Sequence, residues 1–167
     1  MSSPIIGTDH FIEPEHSFID TKDQLSLLAD AMPQLVWIAQ PNGEVIYYNN
    51  RIADFSGAYK DEEGKWMWKG LLHPDDLVST EQAWKKAVAT GGIYEKEHRI
   101  LMKDGSYCWY LSRAFPQKGE QGNIIRWLGT ATDINEQKLI EQKIKEAEER
   151  WRTALESTEM GTWEYDP

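Results

Sequence analysis

Few side chains in this sequence could do chemistry together, and the densest group is a histidine followed by two aspartates. His73 stands beside Asp75 and Asp76, a set that could ligate a metal ion or exchange protons. A metal site needs further ligands from another segment, and no second histidine group has the spacing that would complete one. We therefore interpret residues 73–76 as a turn that starts a helix, and we predict no metal site.

Sequence patterns for covalent catalysis and nucleotide binding are absent. The chain contains no Gly-x-Ser-x-Gly, no reactive-cysteine signature and no glycine-rich phosphate loop. The long helical stretch after Glu136 has no histidine that could accept a phosphoryl group. We therefore predict that this chain has no kinase, cyclase or hydrolase activity of its own.

The composition is acidic, with 18 lysines and arginines against 28 aspartates and glutamates and a net charge of -10. This charge disfavours nucleic acid and anionic membranes as partners, because both need a basic surface. No apolar run approaches the roughly 20 residues of a membrane helix. The single Cys108 cannot form an internal disulfide, and it fits a cytoplasmic location.

The order of predicted elements indicates the fold class. Residues 1–21 are polar and aperiodic, without a signal-peptide pattern, and are predicted to be a disordered leader. After them we predict a helix over 23–32, strands over 35–39 and 45–48, short helices and loops over 50–72, a helix from the turn at 73–76 to Gly91, and strands over 94–102, 107–115 and 124–132. Ser79 and Gln82 have the spacing of a capping box. This order predicts an α+β fold, a five-stranded antiparallel sheet with helices on one side.

The segment 136–155 is predicted to be one long helix. Ile140, Ile144, Ala147 and Trp151 recur at alternating steps of four and three, the spacing of a coiled-coil seam. We predict that two chains pair through these residues as a parallel homodimer. The alternative is a linker helix that only spaces two domains.

Several short motifs follow one another in a recognisable order. They are Asn49 eight residues before Gly57, then His73-Pro74-Asp75-Asp76, then Glu97-x-Arg99, then Asp104-Gly105 with Trp109, and finally Asp133-Ile134-Asn135-Glu136 after Gly129. Together they resemble the third subfamily of PAS domains, including its C-terminal PAC half. The resemblance covers residues 22–136, and Asn135 departs from it because threonine is usual at that position.

The resemblance implies a sensory domain over 22–136 and a signalling helix over 137–155. Residues 156–167, which include Gly161-Thr162-Trp163, resemble the truncated start of a second PAS domain. The parent protein that the resemblance implies is a sensor histidine kinase with downstream PAS and kinase domains in the same chain. The alternative parent is a diguanylate cyclase.

PAS domains enclose a ligand between the sheet and the short helices, so the resemblance implies a pocket on the inner face. Strand alternation assigns to that face Trp37, Ala39, His98, Ile100, Cys108, Tyr110, Ser112, Trp127, Gly129 and Ala131. The predicted small-ligand site consists of these residues without Cys108 and Gly129, and Tyr110 and Trp127 are expected among the contacts. The alternative is a filled core in a ligand-free module for dimerisation and relay. The residues that alternate with these on the strand over 107–115 face outward and form an apolar surface that another element or a partner chain is predicted to cover. They are Tyr107, Trp109, Leu111 and Phe115.

Two cofactors known for the family can be compared with the sequence. Haem needs an axial ligand such as histidine, and His73 is better explained as the start of a helix. The light-sensing flavin branch uses a cysteine in the short helices, whereas residues 57–70 contain none and Cys108 lies on a strand. The ligand identity is left open, haem and a covalent flavin adduct are disfavoured, and noncovalent flavin is kept as an alternative.

The last strand and the long helix meet at Asp133, Ile134 and Asn135, which are predicted to relay a signal. Asp133 and Asn135 have short polar side chains that favour the N-cap of a helix. Because the connection has almost no slack, we expect a movement of the strand to move the helix.

Overall fold

The computed structural model describes residues 21–159. Its elements are, in chain order, α1 (Thr21–Ala31), β1 (Leu35–Ala39), β2 (Val45–Tyr48), a 3₁₀ helix at Asn50–Asp54, β3 (Tyr59–Lys60), β4 (Trp66–Met67), a 3₁₀ helix at Lys69–Leu71, α2 (Pro74–Thr90), β5 (Tyr94–Leu101), β6 (Tyr107–Lys118), β7 (Ile124–Asp133) and α3 (Asn135–Glu159). The predicted leader over 1–21 and the predicted second-domain start over 156–167 lie mostly outside the described residues. Each helix in the described part of the chain is too short or too polar to span a bilayer.

Strands β2, β1, β7, β6 and β5 lie side by side in that order and form one antiparallel sheet. β7 joins the N-terminal hairpin to the C-terminal strands, because it pairs with β1 from Leu35↔Ala131 to Ala39↔Trp127. This arrangement confirms the predicted α+β fold. β3 and β4 form a separate two-stranded sheet within the segment that was predicted to hold only short helices and loops.

Tryptophans fill one half of the inner face of the sheet, where α2 packs. The ring of Trp84 lies edge-to-face against Trp37 and Trp127, with centroids 5.3 and 5.1 Å apart. Its indole N–H donates to the carbonyl oxygen of Gly43 at 3.0 Å, in the turn between β1 and β2. Gly43 has a φ of +88°, and a Cβ there would lie 2.8 Å from Val88. The close approach of helix and turn therefore requires glycine.

Asn49 follows β2 and is 1% exposed, yet its side chain is hydrogen-bonded at both ends. The Oδ1 atom accepts from the backbone N–H of Val36 at 3.0 Å. The Nδ2 atom donates to the carbonyl oxygens of Ala29 at 2.7 Å and Gln34 at 3.1 Å. This motif asparagine therefore ties α1 to the first hairpin without leaving a buried polar atom unpaired.

The predicted capping box at Ser79 and Gln82 is wrong, because the N-cap of α2 is His73, six residues before Ser79. Pro74 is the first helical residue, and Nδ1 of its N-cap, His73, accepts from the backbone N–H of Asp75 at 3.2 Å. Ser79 lies inside the helix and donates to a main-chain oxygen of the preceding turn at 3.1 Å. Proline at the first position and acidic residues in the first turn both favour this earlier start.

β6 continues past its predicted end at residue 115 and runs through Pro116 to Lys118. β5 begins at Tyr94 opposite Ala114, so beyond that pair β6 has a partner on one side only. A proline is tolerated on such a free edge because the missing N–H leaves no ladder bond unmade. α3 also extends beyond its predicted end at residue 155, as far as Glu159.

Candidate ligand cavity and its connection to the last helix

A cavity of about 60 Å³ lies between the inner face of the sheet, α2 and the 3₁₀ helix at Lys69–Leu71. Its aromatic residues are Trp37, Tyr48, Trp68, Trp84 and Tyr94, its polar residues are Thr80, His98 and Ser112, and its aliphatic residues are Leu35, Val45, Leu71, Leu72, Ile100 and Ala131. No aspartate, glutamate, lysine or arginine of the described chain lines it. An apolar cavity with a few converging polar groups is typical of a small-molecule site.

The predicted ligand-binding residues are all buried, and five of the eight line this cavity, namely Trp37, His98, Ile100, Ser112 and Ala131. Ala39, Tyr110 and Trp127 are buried on the same face but lie outside the cavity wall. Tyr110 packs against the ring of Phe55, and Trp127 packs against Trp84. The structure therefore places Tyr110 and Trp127 away from the cavity that they were expected to serve, and ligand contact by the other residues stays a prediction.

Part of the cavity wall comes from residues that sequence reasoning did not assign to it. Thr80 and Trp84 share one face of α2 at i, i+4 spacing, and both are buried. That spacing marks a buried stripe in the sequence, but it does not say where on the sheet the stripe lies. Trp37 reaches its position because it lies over Gly129 of β7, where a Cβ would come within 2.2 Å of the indole ring.

The three polar side chains of the wall are hydrogen-bonded to one another. His98 Nε2 lies 2.8 Å from the hydroxyl of Ser112, and Nδ1 lies 3.3 Å from the hydroxyl of Thr80. Burial lowers the pKa of His98 to about 4, although the carboxylate of Asp76 opposes this effect. The imidazole is therefore neutral at pH 7, and it joins β5, β6 and α2 through an uncharged chain of hydrogen bonds.

Two tyrosine hydroxyls of the same wall lack hydrogen-bond partners among the described residues. Tyr94 is 4% exposed, Tyr48 is partly buried, and burial raises the pKa of both phenols. Neither hydroxyl makes a hydrogen bond within the described chain. Among the described residues, the buried side-chain polar atom without a hydrogen-bond partner is Nε1 of Trp127, whereas the two tyrosine hydroxyls keep some accessible surface and are free to pair with a bound molecule.

Haem and flavin do not fit this cavity. Pockets for molecules of such size have volumes of about 300–1,000 Å³, several times the 60 Å³ found here. His98 is the histidine of the wall, and both of its ring nitrogens are already hydrogen-bonded, so neither is free to ligate iron. Among the described residues, no group of histidine, cysteine, aspartate and glutamate side chains is arranged to hold a metal ion.

On the outer side of β5, charged side chains connect α2 to α3. Asp76 in the first turn of α2 accepts hydrogen bonds at 2.9 Å from Nε, Nη2 and the backbone N–H of Arg99, which holds the pKa of this carboxyl below its usual range. The guanidinium of Arg99 lies 5.4 Å from the ring centroid of Trp109, and the ammonium of Lys138 lies 5.5 Å from it. Lys138 belongs to α3 and also pairs with Glu97. The motif residues on β5 and β6 therefore form a continuous contact path between the two helices.

β7 passes into α3 through Asp133, Ile134 and Asn135 without an intervening loop. The carboxylate of Asp133 accepts from the backbone N–H of Asn135 at 2.7 Å, as expected for a cap. The side chain of Asn135 is directed at β6 instead, where Oδ1 accepts from the backbone N–H of Trp109 at 3.4 Å. Ile134 is 8% exposed and donates its N–H to the carbonyl oxygen of Trp109 at 2.9 Å. The junction is thus fixed to β6, and its predicted relay role stays a prediction.

The residues of the predicted dimer seam are exposed on α3. Ile140, Ile144 and Trp151 are 50, 55 and 69% exposed, and Ala147 is exposed as well. Leu27 of α1 is 61% exposed. Apolar surface of this extent on two helices suits a partner chain, and pairing of two copies stays a prediction.

Residues 45–131 match the PAS fold family, and the chain belongs to that family. The matched span runs from the start of β2 to Ala131 of β7, and it contains most of the cavity wall and the motif residues on β5 and β6. The resemblance seen in the sequence is therefore confirmed. The chain therefore belongs with the sensory domains of signal-transduction proteins.

Similar proteins and solved structures agree with this family. The uncharacterized protein y4lL of Sinorhizobium fredii is 35% identical over 136 residues, which cover 81% of this chain and 16% of that protein. The peroxide stress-activated histidine kinase mak1 of Schizosaccharomyces pombe is 28% identical over 122 residues, which cover 72% of this chain and 7% of that protein. A sensory box histidine kinase/response regulator structure from Burkholderia thailandensis has a TM-score of 0.55 at 20% identity, covering 79% of this chain and 98% of that one. The chain spans only a small part of the length of the curated relatives.

Proposed function

We propose that this chain is the input domain of a signal-transduction protein, in which a small molecule in the cavity changes the position of α3. The observation that carries the proposal is that the cavity wall and the start of α3 share the same strands. Ser112 of β6 and Ala131 of β7 line the cavity in register with each other, and β7 passes into α3 at Asn135. A displacement of these strands therefore reaches the helix without a flexible loop between them.

A second connection supports the same proposal and starts at α2. Thr80 lines the cavity, and Asp76 lies one turn before it and holds Arg99. A molecule that moves α2 relative to the sheet changes this ion pair, and with it the packing of Trp109 beneath Lys138. Two packings of similar free energy, one of which the ligand favours, are sufficient to carry a signal.

The proposed output is a change in how two copies of α3 pair. The exposed seam of Ile140, Ile144, Ala147 and Trp151 supports a parallel homodimer. Two heptads stabilise a dimer only slightly, so α1 and the outer face of the sheet are proposed to contribute to the interface. The alternative is that α3 spaces two domains and makes no contact between chains.

The proposed parent is a sensor histidine kinase with further domains after α3, and this chain is proposed to lie in the cytoplasm. A parent attached to a membrane through segments outside this chain is the alternative. The printed name of the yeast relative, a histidine kinase, supports this output. The alternatives are a diguanylate cyclase as the output domain, and a ligand-free module that serves dimerisation and relay alone.

Native mass spectrometry and an absorption spectrum of the purified chain test the proposal, followed by hydrogen exchange of α3 with and without the retained compound. We expect a small molecule that leaves on unfolding and whose removal changes the exchange of the first turns of α3. The variant Ala131→Leu fills the cavity and should retain no compound. A chain whose α3 exchange is unchanged by every compound that enters the cavity would contradict the proposal.

A further inference from the structure

Building on the proposed function, we propose that the cavity binds a short neutral alcohol or carbonyl compound of about four non-hydrogen atoms. Ser112 and Tyr94 are the residues that hydrogen-bond its oxygen. This inference defines the chemical class of the ligand, which the family assignment leaves open.

The volume of the cavity sets the size of the ligand. One water-sized group needs about 10–15 Å³ of such space, so the 60 Å³ here holds about four to six groups. A cavity of about 150 Å³ is known to hold benzene, so the smaller volume here favours a smaller molecule. Larger aromatic compounds and cofactors are disfavoured on the same ground, and Trp37, Trp68 and Trp84 form part of the wall.

The charge state of the wall requires a neutral ligand. The titratable groups of the wall are His98, Tyr48 and Tyr94, and burial shifts the pKa of each toward its uncharged form. Two charged groups, Asp76 and Lys96, influence His98 without lining the cavity, and Lys96 lies opposite Ser112 in the register of β5 and β6. A carboxylate or an ammonium ion would be desolvated there without a partner of opposite charge.

The polar side of the wall requires an oxygen atom on the ligand. The Ser112 hydroxyl can make one donor and two acceptor hydrogen bonds, and the structure uses one of these in its contact with His98. Tyr94 is 4% exposed, and its hydroxyl has no hydrogen-bond partner within the described chain. Both residues line the same cavity, so a ligand hydroxyl or carbonyl group can use their remaining hydrogen-bonding capacity, whereas a hydrocarbon would leave that capacity unused.

The test is a titration of the isotopically labelled chain with propan-1-ol, followed by nuclear magnetic resonance. Propionate serves as the charged probe of similar size, and xenon as the probe without hydrogen bonds. We expect saturable shifts at Trp37, Trp84 and Ser112 with propan-1-ol, with a Kd no tighter than on the order of 10–100 µM because so few atoms make contact. Propionate should bind at least about tenfold more weakly. Xenon should enter the cavity without forming hydrogen bonds to the hydroxyls of Ser112 and Tyr94.

Two variants distinguish hydrogen bonding to the ligand from mere filling of the cavity. Tyr94→Phe and Ser112→Ala should each weaken propan-1-ol binding about 3- to 10-fold and leave xenon binding unchanged. The exposed control variants Ser79→Ala and Tyr107→Phe should bind propan-1-ol like wild type. Circular dichroism checks that every variant is folded, and Tyr94→Phe keeps the test valid if loss of Ser112 unfolds the chain.

Three outcomes overturn the inference. They are binding of propionate as tight as that of propan-1-ol, a cavity that keeps only water at every probe concentration, and a purified chain that retains a larger or charged compound in this cavity. The last outcome would leave the proposed sensory function standing. Probe binding that follows the expected pattern but never alters α3 would instead support the ligand class and contradict the proposed function.

Discussion

The inner and outer faces of the sheet are built from alternate residues of the same strands, and they differ in chemistry. The cavity on the inner face is lined by apolar and uncharged side chains, and its polar side chains, such as His98 and Ser112, bond to each other. The outer side carries ion pairs and cation–aromatic contacts, with Arg99 and Lys138 both against the ring of Trp109. From this comparison we infer that packing on the inner face contributes most of the stability, and we propose that this face selects the ligand while the outer side positions α3.

The largest expected difference between the two faces is in the free energy of unfolding that is lost when an aromatic side chain is truncated. Trp84→Ala should lower the free energy of unfolding by about 3–5 kcal/mol, because it opens a cavity against Trp37 and removes the hydrogen bond to Gly43. Phe115→Ala on the outer face, where the side chain is 52% exposed, should cost about 1 kcal/mol or less. Unfolding both variants in urea measures these free energies. Equal losses would contradict the statement that the inner face contributes more to stability than the outer face.

A pH dependence specific to the inner face is the next largest effect. The unfolded chain binds a proton at His98 near pH 6.5, whereas the folded chain does so only near pH 4. Stability from this residue is therefore complete above pH 6.5 and is lost as the pH falls to 4, by about 3 kcal/mol in total. Unfolding in urea at pH 7.5 and at pH 4 should show this loss.

The variant His98→Gln is the control for that pH dependence, because glutamine does not titrate. Its stability should change less between the two pH values than that of wild type. The ion pair of Asp76 does not obscure the result, because the pKa of this carboxyl is lowered and its contribution is lost only at still lower pH. An equal loss in wild type and variant would show that His98 is not the group responsible.

A substitution in the seam of α3 tests whether these exposed apolar residues mediate self-association and contribute little to the folding of the monomer. Ile144→Asp places a charge among the exposed apolar residues of this seam and should weaken self-association at least about tenfold, with no large change in the stability of the monomer. Sedimentation across a concentration series measures the association. Glu148→Gln on the same helix should leave it unchanged, and a wild-type chain that stays monomeric at high concentration would refute the dimer.

The smallest expected effect on stability comes from the outer side. Trp109→Ala removes the ring that contacts Arg99 and Lys138 and should cost only about 1 kcal/mol of unfolding free energy. Hydrogen exchange of the first turn of α3 should nevertheless rise clearly, because Lys138 loses its contact with β6. Trp109→Phe, which keeps an aromatic face, should restore most of the protection. Unchanged exchange in the alanine variant would show that this contact does not position the helix.

The sequence predicted the sheet and its inner face well because both depend on local periodicity. Alternation along a strand places His98, Ser112 and Ala131 on one face whatever the rest of the fold does. The contributions of Thr80 and Trp84 could not be located in this way, because they depend on how α2 is rotated against the sheet. The side chain of Asn135 likewise has two competing uses, a helix cap or a bond to β6, and only the packed structure shows which of them prevails.

The network around Arg99 was recognisable as a set of motif residues but not as a connection. Glu97, Arg99 and Trp109 lie on two strands, and their partners Asp76 and Lys138 lie on helices distant in the sequence. Such long-range ion pairs have no periodic signature. Their role in holding α3 therefore emerged only from the fold.

The proposed relay is tested most directly by asking whether a change inside the cavity alters the start of α3. Ile100→Phe adds a ring to the cavity from β5, a strand that does not lead into α3. We predict that hydrogen exchange in the first turns of α3 changes at least about threefold in this variant, and that adding Trp109→Ala reduces the difference. Exchange that changes only on the cavity-lining strands, with α3 the same in wild type and Ile100→Phe, would contradict the central claim.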